Sequence, residues 1–220
     1  MNRLALLAIA VIAVGIGAYV LFAPSQNAEP MNLTAAANAQ EASDIDISGI
    51  VEMQIGNADA PVTVIEYASY TCPHCANFHN GPYKQLKAEY IDTGKINFVY
   101  REVYFDRFGL WASGIARCAG PEKFFGITDL MYEQQSQWAR AQDPAQIIEN
   151  LRRIGRLAGL NDDQMTACLQ NDELRPLVAW FQQNAAADQI DSTPSFVING
   201  TKYSNMAYPR LAEILDAAAE

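Results

Sequence analysis

The chain reads as an α/β domain cut in two by a run of helices, and three stretches predict this. Residues 62–67 (Val-Thr-Val-Ile-Glu-Tyr) are a β-branched run of the buried-strand kind, feeding a helix that opens at Cys72-Pro73-His74-Cys75. Residues 96–103 supply a second strand, which completes a strand–helix–strand unit with a C-x-x-C where the first strand meets the helix. From Phe105 to about Ile190 no strand pattern occurs, and strand character returns only at residues 195–200. The α/β part is therefore assigned to 49–104 and 191–220, and the helical insertion to 105–190.

The elements follow in order. Residues 4–22 are uncharged behind Arg3, about 28 Å as a helix against a hydrocarbon core of about 30 Å. Residues 1–23 thus predict a signal peptide or an N-terminal membrane anchor. Pro24 spoils an early cleavage position, and the first clean A-x-A is Ala37-Asn38-Ala39. Either reading exports the body, since Arg3 stays on the cytoplasmic side. Residues 24–48, rich in Ala, Asn, Gln and Ser, predict a flexible spacer.

Beyond the first strand, the helix is expected to run from Pro73 to about Asp92, with Thr93-Gly94-Lys95 stopping it. The insertion divides into a helical face of Leu110, Trp111, Ile115 and Cys118, a second helix over 124–138 and a third opened by Asp143-Pro144. A fourth starts at the capping-box pattern Asn161-Asp162-Asp163-Gln164, and a fifth covers 174–187. Arg152, Arg153 and Arg156 read as a solvated face. Asn199-Gly200 is a hairpin turn with Thr201-Lys202-Tyr203 as its return strand, and residues 208–219 close the chain as an amphipathic helix.

With 220 residues and 50% hydrophobic content the chain can bury a sizeable core. A net charge of −10 without a basic cluster argues against nucleic acid as a partner.

The chemistry centres on Cys72 and Cys75. Pro73 suits the first helical position, which makes Cys72 the N-cap, its sulfur aimed at free N–H groups and the positive end of the helix dipole. Such sites lower a cysteine pKa from about 8.5 to roughly 3.5–7.5, and a protonated His74 pushes the same way. A thiolate stabilises the reduced form, so the disulfide becomes an electron acceptor. A drop to about 5.5 would be worth roughly 2 kcal/mol at pH 7, on the order of 45 mV towards oxidising. Two other readings stand: a metal triad of Cys72, Cys75 and His79, which lies four residues after Cys75, and a purely structural disulfide. Glu66 alternates onto the face of Val62 and Val64, which places a carboxyl inside an apolar strand. Cys118 shares a helical face with Trp111 and Ile115, and Cys168 one with Met165 and Leu169, which predicts a structural Cys118–Cys168 disulfide or two inert core thiols.

Taken together, Glu66-Tyr67-Ala68-Ser69, Cys72-Pro73-His74-Cys75 and Thr193-Pro194 before a Phe-Val-Ile-Asn-Gly strand resemble the DsbA family of thiol–disulfide oxidoreductases. The resemblance covers roughly residues 48–220 and implies a thioredoxin fold with an inserted helical subdomain. It implies Cys72 as nucleophile, Cys75 as resolving thiol and Glu66 as the buried acid that carries the Cys75 proton. Pro194 would be a cis proline beside the active disulfide, and the Thr193 backbone would pair with substrate. No cofactor is implied beyond the Cys72–Cys75 disulfide. The implied partners are reduced secreted polypeptides and a membrane quinone-linked thiol oxidase that restores the disulfide. The implied location is periplasmic, soluble after cleavage or tethered by residues 4–22. Thr193 stands where enteric members carry valine, and its hydroxyl can reach a sulfur, which blurs oxidant against reductase or isomerase. A different class, a metal-binding or peptide-holding protein using Cys72, Cys75 and His79, is the remaining alternative.

Overall fold

The computed structural model describes residues 45–141 and 143–219. The leader over 1–23 and nearly all of the spacer over 24–48 lie outside them. Five strands form one sheet: β1 (Met53–Gly56), β2 (Val62–Ala68), β3 (Ile96–Glu102), β4 (Ser195–Ile198) and β5 (Thr201–Ser204), in the order β1-β3-β2-β4-β5. Only β2 and β3 run parallel, as a crossover through a helix requires, with Val62 opposite Ile96 and Glu66 opposite Tyr100. β4 lies antiparallel on the other side of β2, Glu66 opposite Phe196, and Asn199-Gly200 turns it back into β5.

Two helices follow β2, α1 (Pro73–Asn80) and α2 (Pro82–Leu86), and the chain then makes a π-helical turn over Lys87–Ile91. The single helix expected over 73–92 is thus three pieces. Pro82 has no N–H to continue the ladder of α1, and Gly81 before it leaves the helical region at φ −132° and ψ −92°. Between β3 and β4 come α3 (Arg107–Cys118), α4 (Pro121–Glu133), α5 (Gln135–Trp138), α6 (Pro144–Leu157), α7 (Asp162–Cys168) and α8 (Asn171–Ala187); α9 (Tyr208–Ala218) ends the chain. The helix expected over 124–138 is broken at Gln134, whose φ of −101° and ψ of 9° tilt α5 away from α4. The sequence pattern also overlooks β1, whose four residues are too short to show alternation.

Alternation along β2 sends Val62, Val64, Glu66 and Ala68 into the main core and Ile65 and Tyr67 to the other face, against Val197 and Phe181. The main core runs without interruption from the sheet (Val64, Phe98, Phe196) into the insertion (Ile115, Phe124, Trp138, Leu151). Arg117 of α3 ties the two together from inside. Its Nε and Nη2 donate to Glu102 Oε1 and Oε2 at 2.6 Å each, and Nη1 donates to the Val51 carbonyl at 2.8 Å. A second tie is covalent: Cys118 and Cys168, the last residues of α3 and α7, are joined with Cα atoms 5.8 Å apart. Both are half-buried, Cys118 packed against the main core, and they line a cleft of about 490 Å³ together with Ile50, Met53 and Arg117.

Gly56 ends β1 at φ +104°, and a Cβ there would lie 2.4 Å from the Ile96 carbonyl oxygen. Gly56→Ala is expected to lower unfolding free energy by about 2–3 kcal/mol. Gly126→Ala, on an exposed helical position with nothing within 4 Å, should instead raise it by about 0.5–1 kcal/mol. Urea denaturation reads both, and equal effects would contradict the close approach at Gly56. The Cys118–Cys168 bridge spans a sequence separation of 50, for which loop-closure entropy gives at most about 4 kcal/mol. Replacing both cysteines by alanine should cost a share of that while leaving thiol exchange at Cys72 intact.

Candidate active site

The turn that carries the motif is built before the helix begins. The Cys72 N–H donates to the Ser69 carbonyl at 3.0 Å, closing the chain between β2 and α1. Cys72 then takes the N-cap position with φ −81° and ψ 120°, and Pro73 occupies the first helical position. Cys72 is 8% exposed and Cys75 is 0% exposed, both as free thiols. Pro73 and His74 are exposed. One turn of helix therefore presents one sulfur at the rim and seals the other beneath it.

That difference in solvation separates the two ionisations. The Cys72 thiol is lowered to about 5. A hydrogen bond from the Cys75 thiol is the largest cause; burial opposes it, and Thr193 with the backbone N–H groups of Cys75 and His74 adds to it. The His74 imidazole, expected to help, is not among these groups; its backbone is. Cys75 moves the other way, far above an ordinary thiol. Burial comes first, then the hydrogen bond it donates to Cys72, then the nearby Glu66 carboxylate.

Thr193 and Pro194 precede β4, and β4 pairs with β2, so they arrive beside the motif through the sheet. The Thr193–Pro194 bond is cis. The Thr193 carbonyl oxygen lies 3.6 Å from Cys72 Sγ and accepts from it in the thiol form. A carbonyl cannot help a thiolate; the Thr193 hydroxyl is buried without a hydrogen-bond partner, and the Thr193 side chain is among the groups that lower the Cys72 pKa.

Glu66 is fully buried, and its Oε2 lies 2.9 Å from His79 Nε2. His79, four residues after Cys75, thus gives its nitrogen to Glu66 and does not complete a triad with the two sulfurs. Among the described residues no three His, Cys, Asp or Glu side chains gather into a metal-holding group. Cys118 and Cys168 lie in the insertion, bonded to each other and apart from the motif.

Two further residues hold the site. Gln135, the first residue of α5, is buried and donates from Nε2 to the carbonyls of Tyr70 at 2.8 Å and Cys72 at 2.9 Å. Asp106 caps α3 through Oδ1, accepting from the N–H groups of Phe108 and Gly109, while Oδ2 accepts from the Thr71 hydroxyl at 2.8 Å. An acid directly before a helix is the signal by which the sequence could have revealed Asp106. Gln135 carries no such signal, because it acts across 63 residues of chain. Gln135→Leu would leave two buried carbonyls unpaired, so unfolding free energy should fall by about 2–3 kcal/mol. A neutral result in chemical denaturation would mean that those carbonyls find other donors.

Comparisons with known proteins agree on the kind of molecule. A family model described as thioredoxin matches residues 49–217. A candidate protein-disulfide oxidoreductase of Rickettsia bellii is 34% identical over 171 residues, covering 77% of this chain and 65% of that protein. The chain thus spans just under two thirds of that relative's length. Disulfide bond formation protein D of Bacillus subtilis is 26% identical over 171 residues, covering 74% of each. Among solved structures, the crystal structure of Wolbachia pipientis alpha-DsbA1 superposes with a TM-score of 0.71 at 25% identity, over 76% of this chain and 90% of that one. Oxidised BdbD of Bacillus subtilis, at 19% identity and a TM-score of 0.62 over 79% and 95%, shares the fold. With a sheet interrupted by helices after β3 and a C-x-x-C at Cys72–Cys75, the chain belongs to the thioredoxin family and has a DsbA-like fold.

Proposed function

We propose that this chain is an exported dithiol oxidant that introduces disulfide bonds into reduced secreted polypeptides. The observation that carries the reading is the split between the two sulfurs: one at the rim and ionised at neutral pH, the other buried and held as a thiol. A thiolate of pKa about 5 stabilises the reduced form at pH 7 by about 2.7 kcal/mol relative to an ordinary thiol. For a two-electron couple this is on the order of 60 mV towards oxidising.

The steps follow from the same split. A substrate thiolate attacks Cys72 Sγ of the oxidised pair, because Cys75 is out of reach. The S–S bond breaks, Cys75 leaves with the electron pair and takes a proton, and a mixed disulfide joins Cys72 to the substrate. A second substrate thiolate then attacks the substrate sulfur of that bond and expels Cys72, whose low pKa makes it a good leaving group. The substrate has lost two electrons and the Cys72–Cys75 pair has gained them. The Thr193 backbone, beside Cys72, supports a role in aligning an extended substrate segment. Regeneration calls for a second oxidant, and a membrane quinone-linked thiol oxidase is the partner class in this reading. Work in the periplasm, with residues 4–22 as signal or tether, is supported by the uncharged run behind Arg3.

Thiolate absorbance of the reduced protein should titrate near pH 5. The oxidising advantage over an ordinary dithiol should shrink as pH falls towards 5, where Cys72 also becomes protonated in the folded protein, and grow up to about pH 8.5. A Cys72 pKa near 8.5 would remove the oxidant reading in favour of a reductase. Thr193→Val should raise the pKa and lower the potential, since it deletes the hydroxyl that favours the thiolate.

A further inference from the structure

Behind the buried thiol lies a sealed acid–base pair. His79 follows Cys75 by one helical turn on the same face of α1, and Glu66 reaches it from β2. Their side chains are 1% and 0% exposed. Glu66 Oε1 and His79 Nδ1 are buried and have no hydrogen-bond partner. The walls are aromatic. The Tyr132 ring stacks on the imidazole at 4.2 Å, with Tyr83 at 4.5 Å and Tyr100 at 5.8 Å.

The titratable groups facing the pair are Cys75 from α1, Tyr83 from α2, Tyr100 from β3, and Tyr132 and Asp129 from α4. Burial pushes all three tyrosines up, and Tyr100 and Tyr132 spend their hydroxyls on each other at 2.6 Å. They stay neutral and offer no base. Asp129 is the other acid at this wall among the described residues, and its own carboxyl is raised chiefly by burial.

We propose that His79 is a positioning residue for the resolving step, holding Glu66 and sharing with it the proton that Cys75 gives up. The inference rests on the reading of Cys75 as the resolving thiol; the acid role of Glu66 comes with the family, and His79 is what this chain adds. A buried carboxylate without a partner would keep its own proton and accept none. With Nε2–H donating to Oε2, the buried carboxylate has a partner, and two bare acceptors remain, Oε1 and Nδ1. When a mixed disulfide on Cys72 is resolved, the Cys75 S–H bond breaks and its proton passes to the pair. The Cys75 sulfur then attacks Cys72 Sγ and expels the partner thiolate. The pair moves from net −1 to an imidazolium–carboxylate of net zero, which a dry core tolerates better than two separate charges. The reverse transfer protonates Cys75 whenever a substrate opens the disulfide.

The test uses the full chain and oxidised glutathione as probe. Reduced protein is mixed with the probe, and closure of the Cys72–Cys75 disulfide from the glutathione mixed disulfide is followed by quenched flow and mass spectrometry between pH 4.5 and 8. His79→Gln keeps an N–H donor for Glu66 but cannot hold a proton. It should slow closure at pH 7 by at least about tenfold, flatten the pH profile and leave the Cys72 pKa in place. Glu66→Gln should act similarly, and the double variant should be no slower than the slower single one, because the two residues work as a unit. A wild-type rate and profile in His79→Gln, or losses that multiply in the double variant, would overturn the proposal. If His79→Gln does not fold, imidazole nitrogen NMR of the wild-type protein decides instead. The nitrogen signals of the His79 imidazole should differ between the dithiol and disulfide forms, and identical signals in both redox forms overturn the proposal. Wild-type protein that fails to close its disulfide with glutathione at all would sink the oxidoreductase reading itself.

Discussion

The hydrogen bond from the Cys75 thiol to the Cys72 sulfur is the interaction on which the site depends, and it exists because one turn of helix places two chemically identical groups in different solvents. Cys72 sits at the N-terminus of α1, where unpaired backbone N–H groups favour negative charge. Cys75 sits one turn deeper, where burial forbids it. Each sulfur makes the other more extreme: the thiol donates to the thiolate, and the thiolate discourages ionisation of the thiol. A reduced pair held in this way is stabilised, and that favours uptake of electrons by the disulfide.

The helical insertion is part of that arrangement and not an appendage to it. Gln135 of α5 holds the carbonyls on both sides of Thr71, Asp106 at the start of α3 holds the Thr71 hydroxyl, and Tyr132 of α4 lies flat on His79. The turn between β2 and α1, together with α1 itself, is thus gripped by three helices that come after β3 in the chain. The insertion can do this because it shares the apolar core of the sheet, and because Arg117 carries a buried charge across to Glu102 of β3. Breaking that pair from one side would leave an uncompensated ion in the core, so the two layers cannot easily part.

Local chemistry was legible wherever it acts over a few residues. The β-branched run of β2, the Pro73 start of α1, the Asn161 capping box with Gln164 and the Asn199-Gly200 turn each appear where neighbouring side chains dictate them. The buried position of Glu66 follows in the same way from period-2 alternation. The break at Gly81-Pro82 was written in the sequence as well; a periodic apolar pattern on both sides of it concealed the interruption.

What the sequence determined by itself was the α/β frame, the redox pair and the face on which Glu66 lies, since each depends on backbone geometry that neighbours impose. What only the tertiary structure decided was which groups meet across it. His79 could serve a metal or a carboxylate by spacing alone, and it is the packing of α1 against the sheet that brings Glu66 of β2 to its nitrogen. The joining of Cys118 to Cys168, the reach of Gln135 to Cys72 and the arrival of Thr193 at the sulfur all span separations of 50 residues or more. Such contacts carry no local signature, because the side chains involved are chosen by the packing of distant elements and not by the conformation of their own.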